Sequence, residues 1–304
     1  MKKIIITGAT GLIGKRLVKS LLEKNYELVI FSRDVKKTRS LLPGIKEIIE
    51  WNYHRPENWE SYFENVYAVI HLAGTNLFAK RWDERFKKDI LESRTISTRN
   101  LVNAFKETLA KPAVFISASG IGFYGNSGDE LLTESSSVGN DFVAEVCKEW
   151  ENESNKLSDT GIRTVQIRTG LVLCPEDGAL KQMLPAFRSF VGGPLGNGKQ
   201  WSSWVHIEDI VKIYLYALEN SGLSGPLNAV SPEPVKMKDL AGTLGKVLNR
   251  PAFFSVPQFA LRIIIGEASG IITASQKVFP DKLLKSGFQF KFSNLEFALT
   301  DLLK

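Results

Sequence analysis

The eight residues Thr7-Gly8-Ala9-Thr10-Gly11-Leu12-Ile13-Gly14 space three glycines as G-x-x-G-x-x-G, directly after the apolar run Lys2–Thr7. That spacing suits the diphosphate of a dinucleotide. Gly8 permits a tight turn, Gly11 lets the backbone approach the phosphates, and Gly14 lets the following helix pack closely on the strand. The N-terminus of that helix, at Leu12 and Ile13, presents free N–H groups and a positive dipole to the anion. A glycine pattern alone is weak, but this one sits between a strand and a helix and opens a β-α series, which makes it specific.

The end of the second strand selects the dinucleotide. NAD binders place an acid about 20 residues beyond the glycines to hold the ribose 2′-hydroxyl. Here Leu28-Val29-Ile30-Phe31 runs into Ser32-Arg33. An arginine there can bind a 2′-phosphate bidentately and stack on adenine, which points to NADP(H). Asp34 stands next to it and is the competing choice, as a ribose acid shifted by one. His71-Leu72-Ala73-Gly74 ends the fourth strand, where small residues let the backbone pass the nicotinamide ribose, and Trp51-Asn52 ends the third, near the adenine. His71 itself reads as a packed strand residue.

These residues need a scaffold of alternating strands and helices, and the hydrophobic pattern supplies one. Strands are predicted at Lys2–Thr7, Glu27–Ser32, Lys46–Glu50, Ala68–Leu72, Ala113–Ser117 and Arg163–Arg168. Helices are predicted at Leu12–Lys24, Asp83–Leu109 (closed by Pro112), Asp141–Ser158 and Val205–Asn220. Strands apolar on both faces imply a parallel sheet covered by helices, an α/β doubly wound, Rossmann-type architecture. Beyond Gly170 the pattern breaks into glycine- and proline-rich stretches. The expected organisation is a dinucleotide-binding domain over 1–170 and a smaller α+β substrate lobe over 171–304, partly interleaved with the first.

Composition narrows the function classes. The surplus of +6 is spread along the chain among acidic residues, with no arginine-rich or aromatic-interleaved tract, so nucleic acid is not the expected partner. No apolar run reaches the roughly 20 residues of a membrane span, and Ile4-Ile5-Ile6 is too short for a signal core. Cys147 and Cys174 are too far apart for a local metal-ligand pair and too few for a disulfide framework. No metal site and a cytoplasmic location are therefore expected. A small molecule is the expected partner.

Taken in order, the glycine turn, Ala73-Gly74, Ser117-Ala118-Ser119 through Phe123-Tyr124-Gly125, and Arg168-Thr169-Gly170 resemble an extended short-chain dehydrogenase/reductase. More narrowly, the chain resembles the atypical, YfcH-like epimerase family. That likeness rests on Arg81-Trp82 with Ser93-Arg94, on Gly192–Trp204 with His206-Ile207-Glu208-Asp209, and on the tail from Arg250-Pro251-Ala252 to Gly287-Phe288. It covers essentially the whole chain. The resemblance implies a Rossmann domain, a substrate lobe and NADP(H), with Ser117 and Arg168 among the residues around the cofactor. It also implies that the helices over Asp83–Leu109 and Asp141–Ser158 are candidate faces of a homodimer.

Ordinary members of that superfamily use a Tyr-x-x-x-Lys pair on one helix face, where the lysine lowers the tyrosine pKa for proton transfer. None of the seven tyrosines here is followed four residues later by lysine. The matching helix carries Phe142 and Val146 instead. Ser119 remains as the strand-five serine, with Ser117 as its alternate. Tyr124 is the nearest tyrosine, either a substitute acid or a structural and substrate contact. Lys148 reads as a solvated helix lysine and Cys147 as an inert thiol. Arg81, Trp82, Gln200, Trp201 and Ser203 are the expected substrate contacts, and Trp204 a weld between the lobes. Two readings follow: an NADP(H)-dependent oxidoreductase or epimerase-like enzyme with an unconventional proton donor, or a catalytically degenerate NADP(H)-binding sensor.

Overall fold

Seven short apolar segments pair into one all-parallel sheet in the computed structural model, which describes residues 2–108 and 111–304. They are β1 (Lys3–Thr7), β2 (Glu27–Ser32), β3 (Glu47–Glu50), β4 (Val66–His71), β5 (Val114–Gly120), β6 (Arg163–Thr169) and β7 (Gly225–Ala229). Their order across the sheet is β7-β6-β5-β4-β1-β2-β3. The chain winds one way from β1 to β3, then returns to the other side of β1 and winds the opposite way. A crevice opens at that reversal, beyond the carboxyl ends of β1 and β4.

Helices cover both faces, which is why the strands alternate nothing and read as continuous apolar runs. Ile4, Ile6, Ile30, Ile70, Ile116 and Ile167 pack with residues of α1 (Leu12–Glu23) on one face. Ile5, Val29, Val69 and Phe115 pack under α3 (Glu84–Glu107) on the other. Between them lies α2 (Val35–Leu41), a short helix that the hydrophobic pattern did not announce. Asp83 caps α3 by accepting from Phe86 N–H at 2.6 Å, and Asp141 caps α4 (Phe142–Asn155) by accepting from Ala144 N–H at 2.9 Å. The expected end of α3 at Leu109 lies outside the described residues.

The second half of the chain departs most from expectation. Trp204–His206 is a short parallel strand against Leu171–Leu173, and helix α6 (Ile207–Glu219) begins only after it, with α5 at Gly178–Arg188. His206 caps α6 by accepting from Glu208 N–H at 3.1 Å. α6 then packs beside α1, and Gly225–Ala229 adds the seventh strand next to β6. Pro226 masks that strand in the sequence, yet an edge position tolerates a missing N–H. The C-terminal half therefore supplies both a helix and a strand to the large sheet. A separate apolar core, with Leu180, Leu184, Phe187, Trp204, Leu240 and Phe292, holds the small lobe. Among the described residues no helix is long and apolar enough to cross a membrane.

Asp209, fully buried in α6, ties the C-terminal segment to the sheet layer by accepting from Lys291 N–H and Phe292 N–H, both at 2.9 Å. Asp209→Ala strands those donors away from water and should destabilise the fold by about 2–4 kcal/mol in urea titration. A change below about 0.5 kcal/mol would mean that the segment is held elsewhere.

Candidate functional site

The crevice is shaped by backbone approaching backbone. Gly8 has φ +69°, and a Cβ there would lie 2.7 Å from the Leu72 carbonyl carbon and 2.8 Å from Ala73 N. A Cβ on Gly14 would run into the Gly8 carbonyl oxygen and sit 2.8 Å from Ala9 Cα, so helix and turn nest only with glycine. Gly11 forms the N-cap of α1 without any side-chain cap, and the helix N-terminus is left open toward the crevice. Thr10, Leu12 and Ile13 line the same turn, half-buried.

A buried relay fixes the opposite wall. Ser97 Oγ donates to the Ser93 carbonyl at 2.6 Å, which leaves it to accept from His71 Nε2 at 3.1 Å. The other ring nitrogen, Nδ1, then accepts the Thr7 hydroxyl at 2.6 Å, and Thr7 Oγ1 accepts from Ala73 N–H at 3.2 Å. Burial and then the Arg94 charge push His71 down to about 3, so it is a neutral positioning group. Its job is to hold Leu72-Ala73-Gly74 against the glycine turn.

At the end of β2 the two neighbouring residues separate their roles. Asp34 is the N-cap of α2 and accepts from Lys37 N–H at 2.9 Å. The Ser32 hydroxyl bonds to Thr38 Oγ1 at 2.6 Å. Arg33 is exposed and, among the described residues, has no hydrogen-bond or ion-pair partner; its charge is felt by half-buried Tyr53. Trp51 directly follows β3, as expected. It is 3 % exposed, packed with Phe31, Trp59 and His71, so its ring is a core element. Tyr53, held through its carbonyl by Asn100 at 2.6 Å, is the aromatic ring at this edge that keeps a partly open face.

Where β5 and β6 end, an ion pair organises the residues nearest the expected chemistry. Arg168 grips Glu151 of α4 bidentately, Nε to Oε1 at 2.8 Å and Nη2 to Oε2 at 2.7 Å. Ser119 donates to the same Oε1 at 2.7 Å. Arg168 Nη1 donates to the Tyr124 hydroxyl at 2.9 Å, and that hydroxyl donates to Asn228 Oδ1 of β7 at 2.6 Å. The guanidinium also lies 3.4 Å over the Phe123 ring. Burial opposes the charge on Arg168, but the Glu151 pair outweighs it and holds the pKa above its ordinary value. For Tyr124 burial outweighs Arg168, and the phenol is pushed up to about 12. Tyr124 is thus a poor proton donor, and Arg168, 3 % exposed, is a brace rather than a free cofactor ligand. Ser117 is also buried and donates to the Ala118 carbonyl at 3.0 Å.

The face of α4 is apolar where a proton relay would sit. Phe142 meets the Trp82 ring at 5.2 Å, and Val146 is buried with Phe86 and Ile90. Burial lifts the Cys147 thiol to about 11, which leaves it unreactive, and Lys148 points to solvent. Trp82 donates to the Leu77 carbonyl at 2.8 Å and roofs this region, with exposed Arg81 beside Gly266. Ser203 has a different job from the one expected of it. Its hydroxyl donates to the Gln276 carbonyl and accepts from Val278 N–H, both at 2.8 Å, so it stitches the small lobe. Gln200 donates to the Leu195 carbonyl at 2.8 Å and keeps a buried, unpartnered Oε1. Trp201 stacks under Lys236 and Lys277 and donates to Asp129. Arg94, between α3 and the Gly74 loop, is a site residue to which chemical reasoning on the sequence gave no role.

A reversing parallel sheet with a glycine turn at the switch point and an added C-terminal lobe is the extended short-chain dehydrogenase/reductase fold. The chain belongs to the NAD dependent epimerase/dehydratase family, whose model matches residues 4–229, and residues 256–302 match a domain of unknown function, DUF1731. It is 37 % identical over 298 residues to an epimerase family protein of Arabidopsis thaliana, a chloroplastic SDR39U1 homologue, covering 97 % of this chain and 85 % of that one. It is 36 % identical over 301 residues to the Bacillus subtilis epimerase family protein YfhF, covering 99 % and 97 %. The crystal structure of human epimerase family protein SDR39U1 (isoform 2) with NADPH superposes with a TM-score of 0.89 at 30 % identity, over 99 % of this chain and 98 % of that one.

The His71 relay makes stability depend on pH. The folded state holds this imidazole near 3, against 6.5 when it is exposed, so below 6.5 the unfolded chain binds a proton that the folded chain refuses. The stability due to neutral His71 is complete above pH 6.5 and falls by about 1.4 kcal/mol per unit as pH drops toward 3. Urea unfolding of wild type and His71→Asn between pH 7 and about 4.5 should show a shallower acid limb in the variant. An unchanged limb would assign the titration to another group.

Proposed function

We propose that this chain binds NADP(H) in the crevice between β1 and β4 and works as an oxidoreductase or epimerase-like enzyme on a carbonyl or sugar-nucleotide substrate, without a Tyr-x-x-x-Lys pair. The observation that carries the cofactor choice is the division of labour at Arg33-Asp34. Asp34 is spent as the cap of α2, whereas Arg33 is exposed beside Tyr53 with its donors free. A free guanidinium at that position suits a 2′-phosphate, whereas Asp34 turns one carboxylate oxygen into the first turn of α2. The NADPH in the human relative supports the same choice.

Gly8, Thr10, Gly11, Leu12, Ile13 and Gly14 hold the diphosphate at the open N-terminus of α1. Ser32 and Arg33 receive the 2′-phosphate, and Leu72, Ala73 and Gly74 flank the nicotinamide side. When bound, the nicotinamide supplies hydride transfer. Arg81, Trp82 and Trp201 bound the substrate side, with the Gln200 Oε1 as an acceptor in search of a donor. Ser119 and Tyr124 hold their protons within the Arg168–Glu151 network, so the proton of the reaction comes from the substrate or from water. A second reading, a cofactor-binding sensor with no turnover, is favoured by that same locking of Tyr124 and by Phe142 and Val146 on α4.

Fluorescence titration with NADPH and NADH, repeated on Arg33→Ala, tests the assignment. NADPH should bind wild type about tenfold or more tighter than NADH, and the substitution should abolish that preference. Equal affinities in wild type, or a preference that survives in Arg33→Ala, would remove Arg33 from the cofactor site. Oxidation of bound NADPH by a panel of carbonyl compounds and sugar nucleotides then separates enzyme from sensor.

A further inference from the structure

Helix α8 (Gln258–Ile265), which follows α7 (Met237–Leu248) in the small lobe, buries almost nothing. Six of its eight residues are apolar, yet only Leu261 is buried. With about 3.6 residues per turn, Leu261 and half-buried Ile265 share the inward side, while Phe259 and Ile263 stand on the outer one. These two are 69 % and 68 % exposed, and Ile264 beside them is 66 % exposed. An ordinary surface helix turns polar residues to water; α8 turns aromatic and aliphatic ones.

Two loops extend that surface. Phe253 and Phe254 lie just before α8 with their rings 6.5 Å apart, and Phe253 is 81 % exposed. Phe254 N–H donates to the Gly192 carbonyl at 3.2 Å, and a Cβ on Gly193 would run into the Phe254 main chain. That pairing sets exposed Phe190 and Val191 alongside, and Arg250 lies over the Phe190 ring at 4.4 Å. Val256 N–H donates to the Pro194 carbonyl at 2.9 Å and carries the pairing up to the start of α8. Adjoining stretches of exposed apolar side chains mark an interaction surface.

The charge around it has one sign. The chain has no acidic residue between Asp177 and Glu208, and none between Asp239 and Glu267. These two stretches build the surface, and they carry Lys181, Arg188, Lys199, Lys246, Arg250 and Arg262. Lys246 is paired with Glu296 at 2.8 Å; the other five have no carboxylate partner among the described residues. Glu267, where the second stretch ends, is itself taken by Lys87 at 2.6 Å. A twofold contact would set this face against its own copy, arginine against arginine with no acid between them. An anionic bilayer does the reverse. Hydrocarbon takes the rings and aliphatic chains, and the headgroups take the guanidinium groups, whose stems lie along the apolar surface. With most of its ring clear of neighbours, Phe253 projects, a shape that enters a bilayer.

We propose that Phe190, Val191, Phe253, Phe254 and the outer side of α8 form a docking surface for an anionic lipid bilayer. The rings and isoleucines enter the headgroup boundary, and Arg188, Arg250 and Arg262 reach phosphate oxygens. This is contact with the surface of a membrane, not passage through it. The docking surface shares no residue with the dinucleotide crevice, so the proposal holds whether or not NADP(H) binds there.

Sedimentation of the full chain with sucrose-loaded vesicles gives the test, using phosphatidylcholine alone and phosphatidylcholine with about 30 mol % phosphatidylglycerol. Wild type should bind the anionic vesicles about tenfold or more tighter than the neutral ones, and about 0.5 M salt should erase most of that preference. The triple variant Phe253→Ser, Phe259→Ser, Ile263→Ser should weaken binding to the anionic vesicles by about tenfold or more. Arg188→Gln combined with Arg262→Gln should remove the preference for anionic lipid. All these side chains are exposed, so thermal melts should match wild type. If the triple variant melts early, Phe253→Ser alone decides, with a loss of about threefold or more expected.

Failure of wild type to bind the anionic vesicles overturns the proposal. Equal binding to the two kinds of vesicle also overturns it, as does binding that survives the triple variant. Light scattering without lipid checks the rival occupant. A dimer that the triple variant dissociates, with no vesicle binding, gives this face to a second copy of the chain and overturns the lipid assignment.

Discussion

The ion pair between Arg168 and Glu151 is the interaction on which this site depends. A guanidinium and a carboxylate buried this deeply are tolerated only when every remaining lone pair and proton is used. Ser119, Tyr124 and Asn228 are drawn in for that purpose, and with them β5, β6, β7 and α4 are locked to one another. The consequence is chemical as well as structural. A serine and a tyrosine at the end of strand five, the usual place to look for proton transfer in this fold, are committed to keeping a buried charge solvated.

The crevice next to that network is built on a different principle, the close approach of main chain to main chain. Gly8 lies against Leu72 and Ala73, Gly14 against Gly8, and the Thr7–His71–Ser97 relay sets the distance between the two walls. None of these contacts involves a free charge. Arg33 beyond β2 and Arg94 beneath the loop after β4 pair with no carboxylate among the described residues. The NADP(H) proposed for this crevice would set its diphosphate at the N-terminus of α1, which no side chain caps. The two halves of the site are thus built differently: one is main chain packed on main chain, the other a buried ion-pair network.

Much of this was legible in the residues themselves. The glycine turn, the order of strands through β6, the helices beginning near Asp83 and Asp141, and the lack of any Tyr-x-x-x-Lys pair all follow from local spacing and hydrophobic period, which depend on near neighbours in the chain. The doubly wound sheet and the family followed from them. What local pattern hid was short or edge-placed: α2, whose seven residues show too little periodicity, and Gly225–Ala229, disguised by Pro226.

The sequence by itself determined that a dinucleotide turn opens a parallel α/β sheet and that the usual catalytic pair is missing. Only the tertiary structure decided which polar residues are free. Arg33 is the favoured residue and Asp34 its adjacent competitor until α2 takes Asp34 as its cap. Ser119, Tyr124 and Ser203 look like site residues until partners 32, 104 and 73 positions away claim their hydroxyls. Arg94 looks like any helix arginine until no carboxylate is found beside it. A side chain's availability is set by what the fold brings within about 3 Å of it, and that distance is not written in the order of the residues.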